Sequence, residues 1–516
     1  MALFLVLLIK TDYDGQDQLA YPVKIFLDLD LLIFFTSLLS AHKLPAMLFL
    51  ALLFVPVTLL FGRAFCGWLC PFGSLHHATS FAGKPASAER GVKTVGARWK
   101  YIVLLFFIGA ALFGLQIAGI LDPISFLVRS LSLSILPAIN STLRGFLDWG
   151  YSLPSRTISD LFDGLYTFMQ AHFLSFHLTL YRQSFLFFLL FVGVLWLNRR
   201  RTRFYCRFVC PLGALLGLLS HIGFLRLTMN DKCTQCMKCR NACSGGANPH
   251  LKSKWSQSEC LTCLNCQAVC PEDALAWNFA FPGKTDDRLN LERRSVLSAL
   301  SFGAASALVL RVPPALAVPE PTVIRPPGSV VESEFLARCV RCGECMKVCI
   351  TGGLQPTLFE AGIEGIWTPI LVSKIGYCEF NCTLCGQVCP TLAIRKLSLE
   401  EKQKTVIGLA FVDPSRCIPF VLGTPCIVCE EHCPTPKKAI VFREHTVAGG
   451  VVAQVPVVLP HLCIGCGICE NRCPIPDIAA IRVTSAGESR DPRGLLLTAP
   501  PNADKVLFPK QPGDSH

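Results

Sequence analysis

Cysteine spacing constrains this chain more than any other feature. Of its 28 cysteines, 24 fall into six groups of four. The first two groups read CTQCMKCRNAC (Cys233, Cys236, Cys239, Cys243) and CLTCLNCQAVCP (Cys260, Cys263, Cys266, Cys270). A later stretch holds CVRCGECMKVC (Cys339, Cys342, Cys345, Cys349) and CEFNCTLCGQVCP (Cys378, Cys382, Cys385, Cys389). It continues with CIPFVLGTPCIVCEEHCP (Cys417, Cys426, Cys429, Cys433) and CIGCGICENRCP (Cys463, Cys466, Cys469, Cys473). Three closely spaced cysteines wrap one corner of an iron–sulfur cubane, and the fourth reaches a neighbouring cluster. The expectation is six 4Fe-4S clusters.

In the first pair of groups, Cys233, Cys236 and Cys239 should share a cluster with Cys270. Cys260, Cys263 and Cys266 should share the other with Cys243. Pro271 follows the fourth cysteine as the pattern expects, whereas Ser244 stands where the first run would carry proline. In the later block one residue is inserted between Cys378 and Cys382, and a longer loop separates Cys417 from Cys426. Spacing leaves open whether those four groups exchange their fourth cysteines in sequence or in a nested order. Zinc sites use CxxC pairs but rarely this triple-then-fourth rhythm. Disulfide scaffolds are usually short and secreted, unlike a chain of 516 residues.

The first half reads as a membrane protein. Hydrophobic residues make up 52% of the chain and concentrate there, in runs such as FLFFLLF. Segments near 44–62, 100–121 and 180–198 approach the roughly 20 apolar residues that a bilayer requires. Residues 1–9 are apolar but too short, and residues 212–227 read as an interfacial or re-entrant helix. Between 63 and 100, Arg63, Lys84, Arg90, Lys93, Arg98 and Lys100 oppose only Glu89, and Arg199, Arg200, Arg201, Arg203 and Arg207 crowd a second loop. Positive loops stay in the cytoplasm. The acidic segment with Asp12, Asp14, Asp17, Asp28 and Asp30, and the charge-balanced segment 122–179, then face outward. These loops account for the net charge of +12, so no nucleic-acid partner is expected.

A second topological signal lies at Glu292-Arg293-Arg294-Ser295-Val296-Leu297, a twin-arginine pattern before an apolar run. Ala315-Leu316-Ala317 resembles a signal-peptidase site. Read instead as a final span with an arginine flank, the segment has the same consequence: the following domain lies outside. The expected fold is an α-helical membrane domain plus α+β bacterial ferredoxin-like domains. The membrane domain covers 1–223, and a two-cluster ferredoxin domain 224–285. The twin-arginine segment or last span covers 286–317, and a Pro-rich linker 318–334. A four-cluster domain covers 335–485, and a tail 486–516.

The remaining cysteines are Cys66 and Cys70 in FCGWLCPFG, and Cys206 and Cys210 in YCRFVCPLG. Each pair is a CxxxCP motif at the cytoplasmic end of an expected span. A helical i, i+4 step would put both thiols of a pair on one face. Four thiols suffice for a metal, a cluster or two redox-active dithiols; buried structural thiols are the plainer alternative. His76, His77, His172, His177 and His221 offer no spaced pair within a span for haem. The chain carries no convincing P-loop, dinucleotide fingerprint or nucleophile triad.

Spans with two CxxxCP motifs followed by a two-cluster ferredoxin run resemble the NapH family of membrane quinol dehydrogenase subunits. NosR, an accessory protein of nitrous oxide reductase, and CcoG, a cytochrome oxidase assembly protein, share parts of that motif set. A twin-arginine segment followed by four 4Fe-4S motifs resembles NapG, the exported partner, and the MauM proteins. The order is that of a NapH–NapG fusion over roughly residues 30–480. The segment 122–179 and the short N-terminus depart from the usual NapH pattern. The resemblance implies a multi-pass protein of the bacterial inner membrane with a periplasmic C-terminal domain. Its substrate would be quinol, and its partner a periplasmic reductase or cytochrome, such as nitrate reductase. The CcoG likeness implies an alternative, a redox or metal-handling assembly or regulatory factor.

Overall fold

The computed structural model describes residues 1–490 apart from 14, 20–23, 44–45, 83–97, 154–155, 173, 176–178, 251–254, 282–291, 317–321 and 448–449. The first half is helical, and two buried aspartates start two of its helices. Asp30 accepts the Leu32 and Ile33 N–H groups at the head of Leu31–Ala41. Asp122 accepts the Ser125 N–H at the head of Pro123–Ser130, with proline in the first turn. Both arrangements satisfy backbone donors that a helix start leaves unpaired. The apolar segment 1–9 forms helix Ala2–Lys10 and buries Phe4 and Leu8 completely. One core joins these side chains to Leu27, Ile33, Leu104, Leu127 and Ala214, and runs on to Cys70, Cys210 and Cys342.

The segments expected as spans form shorter helices than expected. Ala46–Leu53 is a 3-10 stretch leading into Phe54–Phe61, Trp99–Leu112 has 14 residues, and Ser184–Trp196 has 13. Among the described residues, the one helical run long and apolar enough to cross a membrane is Pro123–Tyr151, of 29 residues. It lies in the segment that charge balance assigned to an outer loop. The polar groups of its first half face inward: Ser125, Ser130, Ser132 and Ser134 are buried, and Arg129 is fully buried and donates to the carbonyls of Gly119, Ile120 and Arg341.

Helix Arg293–Leu316 contains the twin-arginine pair and lies along Trp99–Leu112. Small residues let the two backbones touch. A Cβ at Gly303 would lie 2.2 Å from the Phe106 carbonyl oxygen, and one at Gly109 would lie 2.4 Å from that of Leu300. Ala299 and Ala307, one turn either side of Gly303, are also buried. This is the small-residue packing used where helices meet in lipid. The peptidase-like site Ala315-Leu316-Ala317 falls partly outside the described residues.

Three antiparallel pairings bracket the three pairs of cysteine groups. Leu225–Met229 pairs with Leu275–Phe279 around the first pair. Ser329 bridges Ile394 around the second, and Leu409–Val412 pairs with Ile481–Thr484 around the third. The reading of 212–227 as one interfacial helix is therefore corrected. The helix ends at His221, and Leu225-Arg226-Leu227 opens a strand. The Pro-rich stretch is packed from Val323 onward. Arg325 is buried and bonds to Glu332, Thr368 and the Pro369 carbonyl.

The two cysteine-rich blocks dock at opposite ends of Trp99–Leu112. Lys100 and Tyr101 bond to Glu259 of the first block. Beyond the other end, the Gln116 carbonyl accepts from Arg341 of the second. The helix between them is about 21 Å long.

Candidate iron–sulfur sites

Left-handed backbone shapes the cysteine loops. The residues on either side of the second cysteine have positive φ in four of the six groups: Gln235 and Met237, Thr262 and Leu264, Arg341 and Gly343, Gly465 and Gly467. Five of these eight carry side chains and pay roughly 1–2 kcal/mol each for that conformation. Such strain persists only where the surroundings fix it, and it bends each loop back on itself. The two stretched groups lack this pattern among the described residues.

The loops gather cysteines from different groups. One cavity is lined by Cys233, Cys236, Cys239 and Cys270, with Pro271 beside them. Cys243 faces Cys260, Cys263 and Cys266. Both sets match the expected exchange. In the later block one cavity is lined by Cys339, Cys342, Cys345 and Cys389, and a second by Cys349, Cys378, Cys382 and Cys385. A third is lined by Cys417, Cys426, Cys429 and Cys473. Cys433 faces Cys463 and Cys466, neighbours of Cys469. Neighbouring groups thus exchange their fourth cysteines in sequence order, not in a nested one.

The donor chemistry of these sets fits a thiolate-bound cluster. The Ala247, Ala274, Ile394 and Ala410 N–H groups point at the sulfurs of Cys243, Cys270, Cys389 and Cys463, at 3.3, 3.3, 3.4 and 3.5 Å. Such bonds tune a cluster's potential. Burial pushes the thiols of Cys266, Cys382, Cys429 and Cys466 up to about 12. They would need a positive centre to become thiolates at neutral pH. Among the described residues no three His, Cys, Asp or Glu side chains converge on a single-ion site. In four of the six sets the cysteines line a cavity instead.

The CxxxCP cysteines come together at the end of the helical half that meets the first cysteine-rich block. Cys70 faces Cys66 and Cys206, and Cys210 faces Cys206, Cys66 and Cys70. The i, i+4 expectation is corrected. Phe65–Leu69 is a π-type turn, and Cys70 leaves it in an extended conformation, as Cys210 does after Phe204–Phe208. Each second cysteine instead heads the next helix, Pro71–Ala82 or Pro211–His221, and accepts the N–H of Gly73 or Gly213 at 3.4 or 3.2 Å. Burial pushes the Cys206 thiol up to about 11, while Arg203 draws it down.

Sequence reading missed two residues here. Arg63 and Arg203 each stand three positions before the first cysteine of a motif, a repeat visible in the sequence. Arg63 is 1% exposed, and its Nε and Nη2 have no hydrogen-bond partner. Arg203 donates to the Cys66 carbonyl at 3.2 Å. His76 is held by Asn198 at 2.8 Å and stacks on Tyr205.

The model of a 4Fe-4S dicluster domain family matches residues 227–271. That of a 4Fe-4S binding domain family matches twice, over 44–85 and 183–227, once on each CxxxCP motif. The methylamine utilization ferredoxin-type protein MauM of Methylorubrum extorquens is 35% identical over 184 residues, covering 34% of this chain and 80% of that protein. MauM of Methylophilus methylotrophus is 33% identical over 202 residues, covering 37% and 86%. The ferredoxin-type protein NapG of Escherichia coli is 34% identical over 154 residues, covering 29% and 65%. No solved structure matches the chain significantly. Motif chemistry, loop geometry and kinship agree, and the chain belongs to the MauM and NapG family of iron–sulfur, ferredoxin-type electron-transfer proteins.

Proposed function

We propose that this chain is the electron-transferring part of a membrane quinol dehydrogenase, with NapH-like and NapG-like parts fused. It takes electrons from quinol and delivers them to a periplasmic reductase or cytochrome. The observation that carries this reading is the docking of two cysteine-rich blocks on opposite ends of one apolar helical domain. A soluble ferredoxin needs no such arrangement. The 24 cysteines of the six groups would hold six 4Fe-4S clusters, paired as the cavities group them. When bound, each cluster stores and releases single electrons. The protein contributes burial, N–H bonds to sulfur and spacing, which set the potentials.

The inner face would carry the first block and the outer face the second, in keeping with the basic loops beside the first. The test is anaerobic purification of the full chain, with iron and acid-labile sulfide counted, followed by addition of a reduced quinol. Bleaching of the visible cluster absorption supports the reading. A fully loaded chain that quinol leaves oxidised refutes it. The second reading, an assembly or regulatory factor, draws on the buried thiol quartet. It requires that loss of those thiols stop maturation of a partner enzyme while cluster reduction by quinol persists.

A further inference from the structure

We propose that Cys66, Cys70, Cys206 and Cys210 together hold one further iron–sulfur cluster, and that electrons cross the helical domain through it, between the two ferredoxin-like blocks. This rests on both blocks carrying clusters, but not on quinol as the donor.

The site is built twice from one pattern. Arg63-Ala64-Phe65-Cys66 leads to Cys70-Pro71-Phe72-Gly73, and Arg203-Phe204-Tyr205-Cys206 leads to Cys210-Pro211-Leu212-Gly213. The two copies bring their four thiols together. Four thiolates carry a large negative charge, and the surroundings supply the opposite sign. Two helices of 12 and 11 residues begin at Cys70 and Cys210 and point their N-termini at the sulfurs. Arg63 is buried, with two N–H groups unpartnered and its charge beside Cys66 and Cys210. Glu259, which Lys100 shares, stands 3.6 Å from Nη1, and a further anionic centre at the sulfurs would satisfy the side of the guanidinium that faces Cys210. Structural thiols, which behave as small hydrophobes, would not need the guanidinium.

Residues beside the quartet touch the first block and reach the second through Phe126 and Arg129. On one side Gly67, next to Cys66, lies against the carbonyl of Leu261, next to Cys260; a Cβ there would sit 2.3 Å from that oxygen. Trp68 donates to the Thr262 carbonyl at 3.0 Å. On the other side the Tyr205 ring, next to Cys206, lies 6.2 Å from that of Phe126. Arg129, three residues along the same helix, donates at 2.8 Å to the carbonyl of Arg341, next to Cys342. Residues i and i+3 share a face, so less than one helical turn, about 5 Å, separates the two contacts. Each step moves one electron from a reduced centre to an oxidised one. No bond forms or breaks, and no proton need follow.

The experiment places the full chain in sealed liposomes and adds dithionite, which does not cross lipid, to one side. Electron paramagnetic resonance then reads the clusters of both blocks. The parent is expected to become reduced in the shielded block as well as the exposed one. The Cys66→Ser/Cys206→Ser variant should lose about four irons per chain and leave the shielded block oxidised. Arg63→Gln, which keeps all four thiols, should retain the iron but slow reduction of the shielded block at least tenfold. It therefore serves as a test even where the cysteine variant fails to fold. Unchanged iron and unchanged reduction in the cysteine variant would overturn the proposal, as would a parent whose shielded block stays oxidised.

Discussion

Replacing Glu259 by Gln tests how the first block is held beside the thiol quartet. Three groups of the helical half end on that carboxylate. Lys100 Nζ bonds to it directly, Tyr101 Oη lies at 3.1 Å and Arg63 Nη1 at 3.6 Å. The Lys100 side chain is 0% exposed, that of Arg63 1% and that of Glu259 13%. Removing one partner of a buried ion pair typically costs about 3–5 kcal/mol, because the other charge stays buried and unpaired. Gln keeps an acceptor for Tyr101, so the lower figure applies. About 3 kcal/mol shifts the opening equilibrium of the docked block by a factor of about 100. Hydrogen exchange reads this at the Phe224 amide, which donates to the Leu59 carbonyl across the seam at 2.8 Å. Its exchange should quicken by about two orders of magnitude, while amides of the later block keep their protection. Adding Lys100→Met to Glu259→Gln removes one orphaned cation and should restore part of the protection. An exchange rate within threefold of the parent would mean that the carboxylate does not hold the block.

Gly303→Leu forces a side chain into the Phe106 backbone and should cost at least 1–3 kcal/mol, read as a lower melting temperature in detergent. Gly145→Leu, where an added Cβ meets nothing within 4 Å, is the control without such loss. Burial works against the Glu332 carboxylate, but Arg325 and Arg490 outweigh it and hold its pKa at about 2, down from 4.5. A pKa depressed in the folded state stabilises above the unfolded value and loses that effect as pH falls toward 2. Glu332→Gln should therefore cost stability at pH 7. With 37% of the side chain in solvent, the full shift is discounted to about 1–2 kcal/mol, read by thermal unfolding at pH 7. Replacing Arg293 and Arg294 together by Lys keeps the charge but removes the pair that a twin-arginine translocase reads. A compartment-sensitive reporter fused after Pro492 should then lose its external signal, and an unchanged signal would favour a plain final span.

The cysteine groups were legible because each cluster corner is wrapped by a few consecutive residues. The pairing of Cys349 with the Cys378 group was not. It depends on which loops meet after the Ser329–Ile394 bridge forms, and spacing does not encode that. The exchange of Cys243 and Cys270 was readable only because that run is unstretched. Helix Pro123–Tyr151 escaped notice because Asp122, Arg129 and several serines dilute its hydropathy, and hydropathy cannot tell an arginine turned into the core from one in water. The strand from Leu225 was hidden by its apolar neighbours, although Leu225, Leu227 and Met229 alternate with Arg226 and Thr228 at the period of a strand. Arg63 and Arg203 were visible as a repeat, but their meaning appears only when burial leaves Nε and Nη2 of the Arg63 guanidinium without hydrogen-bond partners.

The most direct measurement adds reduced quinol to the anaerobically purified, fully loaded chain and follows, by electron paramagnetic resonance, the clusters of the block spanning Cys339 to Cys473. If the chain conducts from quinol to an external acceptor, those clusters become reduced and are reoxidised when an acceptor of higher potential is added. If they stay oxidised while dithionite reduces them readily, the protein carries clusters but does not oxidise quinol, and the proposed function fails.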